Sequence, residues 1–270
     1  MRFLFFVEKN TLTVVISVQH SRGGSGTTTI ALTLSYLLAR RGRTLYIEAD
    51  FLNPILEYLI PIRGFVPKWF NDWIVGEASL GEVSRDISSF FNLPAQSLNV
   101  MYGNTSEGAR RRMKVLDAKG DKRIMRTLEK EDYVIGGKKL DYVIIDTPPW
   151  AYYTIAAISY ASTHVLYVLR PNFYEAEIFN NKMKNIYSRF TCLVRPIINF
   201  YDERAEKFEK EFYGGEAIKI PFIPEFSSGI DISKIFSVSN KMKDYLLRFM
   251  EELPQESMPS SSNLIEEQPY

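Results

Sequence analysis

Apolar positions recur along this chain in two rhythms. Short runs rich in β-branched residues fall at 12–18, 44–49, 98–102, 140–146, 165–169, 193–198 and 217–220. Runs of this length bounded by turn residues read as buried strands. Between them the apolar spacing becomes helical, over 30–40, most of 64–93, 174–190 and a closing stretch at 232–253. Gly76 and Gly81 break the second of these, and residues 104–139 are polar and basic. Residues 3–7, a turn at Glu8-Lys9-Asn10 and residues 12–18 predict an edge hairpin.

Strands alternating with helices predict an α/β fold. The sheet is expected to be mostly parallel, with helices on both faces and right-handed crossovers. Residues 1–253 read as a single domain. Residues 254–270, with Pro, Ser, Gln and Glu and little apolar content, read as a disordered acidic tail.

Composition narrows the picture. With 270 residues, 46% of them hydrophobic, one well-buried core is expected. A net charge of +1 gives no global attraction to nucleic acid or anionic lipid. The single cysteine, Cys192, excludes an intrachain disulfide and a four-thiolate cluster within one chain. A cytoplasmic setting follows. The apolar run 3–7 is too short for a secretory signal and meets Glu8 at once. Residues 151–169 carry no formal charge, but the polar side chains within them and the flanking prolines predict a buried helix and then a strand.

The candidate chemistry lies between the first strand and the first helix. Ser21-Arg22-Gly23-Gly24-Ser25-Gly26-Thr27-Thr28-Thr29 has the make-up of a phosphate-binding loop. Glycines let backbone N–H groups converge on an anion, and the following helix N-terminus adds positive potential. A working loop normally carries a lysine for the outer phosphates, and Thr27 occupies its place. Asp50, Asp146 and Asn199 all fall at carboxyl ends of predicted strands, where ligands bind in open α/β sheets.

The order of these segments resembles the ParA/MinD family of deviant P-loop ATPases. That family's loop reads KGGxGKTT, where this chain has RGGSGTTT at 22–29. Its second strand ends in D-x-D, to which Glu48-Ala49-Asp50 with Pro54 is similar. Its third motif is a hydrophobic strand ending DTPP, matched here by Asp146-Thr147-Pro148-Pro149. Weaker likenesses cover 70–76, 98–103, 163–171, 197–199 and 220–224, so the resemblance runs from about residue 12 to about residue 250.

The resemblance implies a three-layer P-loop NTPase fold, ATP and Mg²⁺ as cofactors, and an ATP-dependent homodimer used in partition or cargo positioning. It further implies roles for single residues. Gly23, Gly24, Ser25, Gly26, Thr27, Thr28 and Thr29 would wrap the phosphates. Thr28 and Asp146 would hold Mg²⁺, the carboxylate through water. Asp50 would orient the attacking water. Asn199 would read the adenine edge, with Pro221, Phe222 and Pro224 beside the base. Arg22 stands where the family's signature lysine reaches a partner's phosphates, and arginine retains that charge. The loss of lysine at 27 implies hydrolysis weakened by roughly a hundred- to a thousandfold or more.

Two rival readings follow from the same residues. One is a catalytically dead scaffold that kept the fold. The other is a DNA-binding module, working through Arg110, Arg111, Arg112, Lys114, Lys122, Arg123 and Arg126. That run also reads as a solvated helix face or as a patch for an acidic protein partner. His20 and His164 have no metal-ligand spacing and read as structural, and Cys192 reads as inert. The acidic end of the closing helix argues against a basic membrane-targeting helix, as found in the MinD branch. One cysteine cannot serve the iron-protein branch. A single tail tyrosine, Tyr270, speaks against the tyrosine-kinase branch.

Overall fold

A computed structural model describes residues 12–60, 68–149, 151–206, 216–226 and 232–254. Its centre is an eight-stranded sheet. In chain order the strands are β1 (Val14–His20), β2 (Thr44–Glu48), β3 (Ser84–Asp86), β4 (Leu98–Met101), β7 (Tyr142–Asp146), β8 (His164–Leu169), β9 (Leu193–Tyr201) and β10 (Ile218–Pro221). Their spatial order is β10-β9-β8-β1-β7-β2-β4-β3. Only β3 runs antiparallel, against β4. A two-stranded hairpin, β5 (Val134–Ile135) and β6 (Lys138–Lys139), stands apart.

The period of two along each strand divides the core. Leu45, Ile47, Val143 and Ile145 face one side, and Ile16, Val18, Tyr46 and Ile144 face the other. The second side is covered by α1 (Thr27–Ala39) and the closing helix α9 (Ile232–Glu252), through residues such as Ile30, Leu34, Leu38 and Leu246. The first side is covered by α3 (Phe70–Ile74), α5 (Glu107–Lys119), α6 (Lys122–Lys130) and α7 (Tyr152–Ala161), through Trp73, Met113, Ile124 and Ile158. Helix α8 (Phe173–Asn185) extends that layer over β8, where Phe179 packs against Tyr167. Truncating one of these buried aliphatic side chains to alanine costs about 2–5 kcal/mol. The result is the expected mostly parallel α/β architecture with a helical layer on each face.

Two details differ from expectation. Residues 12–18 do not form an edge hairpin. Strand β1 lies in mid-sheet with parallel partners on both sides, β7 and β8, so both of its edges are taken. Residues 3–7 lie outside the described residues, as do 255–270. The stretch 64–93 is not mostly helical where it is described. It forms α3, one turn at α4 (Leu80–Val83), β3 and a 3-10 turn at Ser88–Phe91. Gly76 adopts φ +76, which ends α3. Asp72 and Glu82 each accept the backbone N–H three residues earlier, at 2.9 and 2.8 Å. These caps start new short helices rather than continuing one.

The basic segment 104–139 folds into α5, α6 and the β5–β6 hairpin. Ser106 caps α5 by accepting from Ala109 N, and Asp121 caps α6 by accepting from Arg123 N. Among the described residues no helix is long and apolar enough to cross a membrane.

Candidate functional site

The loop after β1 is shaped by Gly24 at φ +75 and Gly26 at φ +88, left-handed conformations that glycine adopts without strain. Gly26 is also the N-cap of α1, with no side chain capping it and no acidic residue in the first turn. The first N–H groups of a long buried helix are therefore left for a ligand. A side chain at position 26 would collide with the Asn199 amide. That amide donates from Nδ2 to Ser25 O at 2.8 Å, so Asn199 braces the loop from β9.

The brace depends on a bulge. Strand β10 pairs Ile220 with Asn199 but Pro221 with Tyr201, skipping Phe200. Phe200 takes φ +58, unusual for a non-glycine residue. The bulge sets Asn199 on the loop and Phe200 beside Phe222, with ring centroids 6.1 Å apart.

These pieces surround one cavity of about 590 Å³. Its walls bring together Gly23 to Thr29, Asp50, Asn199, Pro221 and Phe222 from the sequence expectation. They add His20, Asn53, Phe200 and, from α9, Met242. Arg22 is exposed and lies outside this wall, as does the exposed Pro224. Thr27 is buried, and its hydroxyl is 2.8 Å from the Ser25 hydroxyl. Position 27 therefore contributes a local hydrogen bond and no charge.

Behind Thr28 lies a buried acidic group. Asp146 ends β7, is 2% exposed and accepts from Tyr46 Oη at 3.0 Å and from the Thr28 hydroxyl. Burial pushes its carboxyl up to about 8, helped by Asp50 and Glu48, against the lowering effect of the two hydroxyls. Glu48 is pushed up to about 7, again by burial. Its Oε1 accepts from Ile55 N and Leu56 N at 2.6 Å each, and its Oε2 accepts from Gly103 N at 2.9 Å. Glu48 thus pins the chain after β2 to the end of β4. Asp50 is raised by burial and lowered by Leu52 N and Asn53 N, which both donate to Oδ1 at 3.1 Å, and by His20.

This donor set fits Mg²⁺. A buried carboxyl beside a threonine hydroxyl offers the hard oxygen donors that Mg²⁺ prefers. Among the described residues no group of three or more His, Cys, Asp or Glu could cage a metal. Mg²⁺ needs no cage, since it keeps waters and takes phosphate oxygens.

The basic run stands elsewhere, on α5 and α6. Arg111 pairs with Glu107, Arg112 and Arg123 both reach Glu77, and Arg123 also pairs with Asp121. Exposed Lys114 borders a separate cavity with Phe51, Leu52 and Asp117. Lys122 and Arg126 are exposed on α6, and Arg110 is half-buried on α5.

No family model matches the chain, and no curated protein matches it in sequence. Solved structures do match. A putative plasmid partition protein from Borrelia burgdorferi B31 bound to AMPPNP aligns with TM-score 0.67 at 17% identity, over 88% of this chain and 99% of its own. The septum site-determining protein MinD from Pyrococcus horikoshii OT3, complexed with Mg-ADP, gives 0.68 at 16%, over 90% and 97%. A Cyanothece McdA variant in complex with ATP gives 0.67 at 13%, over 92% and 100%. The chain has the ParA/MinD type of P-loop NTPase fold. The likeness spans nearly the full length of all three structures.

Several site residues carried little signal in the sequence. Tyr46 read as a strand residue and Glu48 only as the first position of the D-x-D likeness, and the register β2–β7, which pairs Glu48 with Asp146, brings both to the cluster. Phe200 is announced by no motif, because the bulge arises from β9–β10 pairing. Arg170, the residue after β8, donates from Nη2 to Gly23 O at 3.3 Å. Its place after a predicted strand, within the 163–171 likeness, gave it no role of its own.

Proposed function

We propose that this chain binds ATP with Mg²⁺ in the 590 Å³ cavity and acts as a ParA/MinD-like nucleotide-dependent dimer that positions or partitions cargo, DNA included, in the cytoplasm. One observation carries the reading. The uncapped N-terminus of α1, the glycine loop, Thr28 backed by the buried Asp146, and the Phe200–Phe222 pair meet at one cavity.

Each part has a physical task. Loop N–H groups and the α1 dipole receive the phosphates. Thr28 and Asp146 hold Mg²⁺, which neutralises phosphate charge. Phe200 and Phe222 offer apolar ring faces to the base, and Asn199 holds the loop at the distance its amide sets. Arg22, exposed beside the cavity, is free to reach a second copy's phosphates.

Hydrolysis is the weakened step. Thr27 supplies no cation, and Asp50 Oδ1 is occupied by two backbone donors. These two facts also favour the second reading, a nucleotide-binding scaffold that does not turn over. The DNA-binding module finds less support, because four ion pairs offset part of the α5–α6 charge.

The test is calorimetric titration with Mg-ATP, beside Asp146→Ala. Micromolar binding that the variant loses supports the reading. No binding up to millimolar ATP overturns it. Phosphate release and ATP-dependent dimerisation then separate the weak ATPase from the silent scaffold.

A further inference from the structure

His20, the last residue of β1, is buried at 6% exposure and lines the cavity, yet the scheme above gives it no task. Its two ring nitrogens have the same kind of neighbour. Nδ1 is 2.6 Å from the Arg22 carbonyl oxygen, and Nε2 is 3.1 Å from the Thr147 carbonyl oxygen. A carbonyl oxygen only accepts. A neutral imidazole has one N–H and one lone pair, so one of these contacts would set a lone pair against an oxygen. An imidazolium donates to both.

The second carbonyl is firmly placed. Thr147 donates its backbone N–H and its hydroxyl to Val18 O, at 3.2 and 3.1 Å. The ring therefore spans from the first turn of the loop to a fixed point where β7 meets β1.

Charge at this place has a use. The ionisable side chains in the described cavity wall are His20 and Asp50. Of the ionisable residues nearby, Asp50 after β2 shares the cavity wall with the ring, Arg22 lends it a carbonyl, Asp146, the last residue of β7, precedes Thr147, and Arg170, just after β8, reaches the Gly23 carbonyl of the same loop. Asp50 and His20 interact electrostatically. Arg170 also pairs with buried Glu175, at 3.4 Å, so its charge is shared.

We propose that His20 is the positioning cation of this phosphate loop. As imidazolium it ties the Arg22 carbonyl to the Thr147 carbonyl and gives the cavity a positive charge where the loop lacks lysine. The clamp stands on the geometry alone, and its use toward phosphates rests on the nucleotide reading above.

The chain has two histidines, which makes the test direct. His164 is far along the chain, edge-on to Phe249 and beside the Thr163 hydroxyl. In a His164→Gln protein, ring ¹⁵N–¹H correlation spectra report His20 alone. They are recorded from pH 6 to 8, without ligand and then with Mg-ATP. The expected result is a ring that carries a proton on both nitrogens, facing the two carbonyls, in the Mg-ATP-bound protein. His20→Gln keeps one donor and no charge. It is expected to weaken Mg-ATP binding roughly ten- to a hundredfold and to flatten its pH dependence.

A ring with one bare nitrogen at every pH, in both states, overturns the proposal. So does His20→Gln with unchanged affinity and unchanged pH dependence. If His20→Gln fails to fold, the spectra of the His164→Gln protein still decide. If Mg-ATP does not bind at all, the phosphate role falls with the nucleotide reading, and the ligand-free spectrum decides the clamp separately.

Discussion

Replacing Asp146 by asparagine in the metal-free protein is expected to change how stability depends on pH. In the fold this carboxyl is buried to 2% exposure, with its titration pushed up to about 8 by desolvation. In the unfolded chain it titrates near its ordinary value of 3.8. Between these values the native state holds a proton that the unfolded state has released. A raised carboxyl contributes its stability below the unfolded value and loses it as pH rises toward the folded one. Each such proton gives a slope on the order of 1 kcal/mol per pH unit. Glu48, pushed up to about 7, adds a second proton of the same sign below neutrality.

The wild type should therefore lose on the order of 2 kcal/mol per pH unit between about pH 5 and 6.5. Asparagine matches the shape of the protonated acid and does not titrate, so Asp146→Asn should lose about half that slope. The assay is urea unfolding followed by tryptophan fluorescence, at half-unit pH steps, in EDTA-containing buffer. A wild-type stability that rises with pH over this window would refute the reasoning. A slope identical in both proteins would remove Asp146 from it.

Three further outcomes are expected. Gly26→Ala combines left-handed strain of about 1–2 kcal/mol with overpacking of about 1–3 kcal/mol against Asn199, and a lowered urea midpoint checks it. Phe222→Ala, at a side chain 55% exposed, should leave stability within about 0.5 kcal/mol yet weaken ATP binding about 5- to 100-fold, while pyrophosphate affinity measured by calorimetry stays unchanged. Thr27→Lys should raise phosphate release by roughly a hundredfold or more. Tighter ATP binding without turnover would instead assign the missing catalysis to the tethered Asp50.

Much of the scaffold was legible in the sequence because parallel strands buried on both faces write continuous apolar runs. Residues 44–49, 140–146 and 165–169 could be read directly for that reason. The glycine loop and the carboxylate that ends β7 were legible as local motifs. What stayed hidden depends on neighbours. The central place of β1 is set by β7 and β8, which lie more than a hundred residues downstream. The short β3 owes its identity to an antiparallel partner, β4, and not to its own composition. His20 looked like any strand-ending polar residue, since its meaning lies in two carbonyls that the fold brings to it.

The contact between Gly26 and Asn199 has a consequence for descent. Gly26, already left-handed at φ +88, is held to glycine a second time by the Asn199 amide, which fills the place of a side chain and braces Ser25. The two sites are far apart in the chain, yet they are not free to drift independently. A lineage that exchanged the glycine would have to shrink the asparagine and also reshape the left-handed turn, and would pass through an ancestor with an unbraced loop. Such an intermediate is disfavoured, so this pair should persist together, or be lost together once nothing is bound.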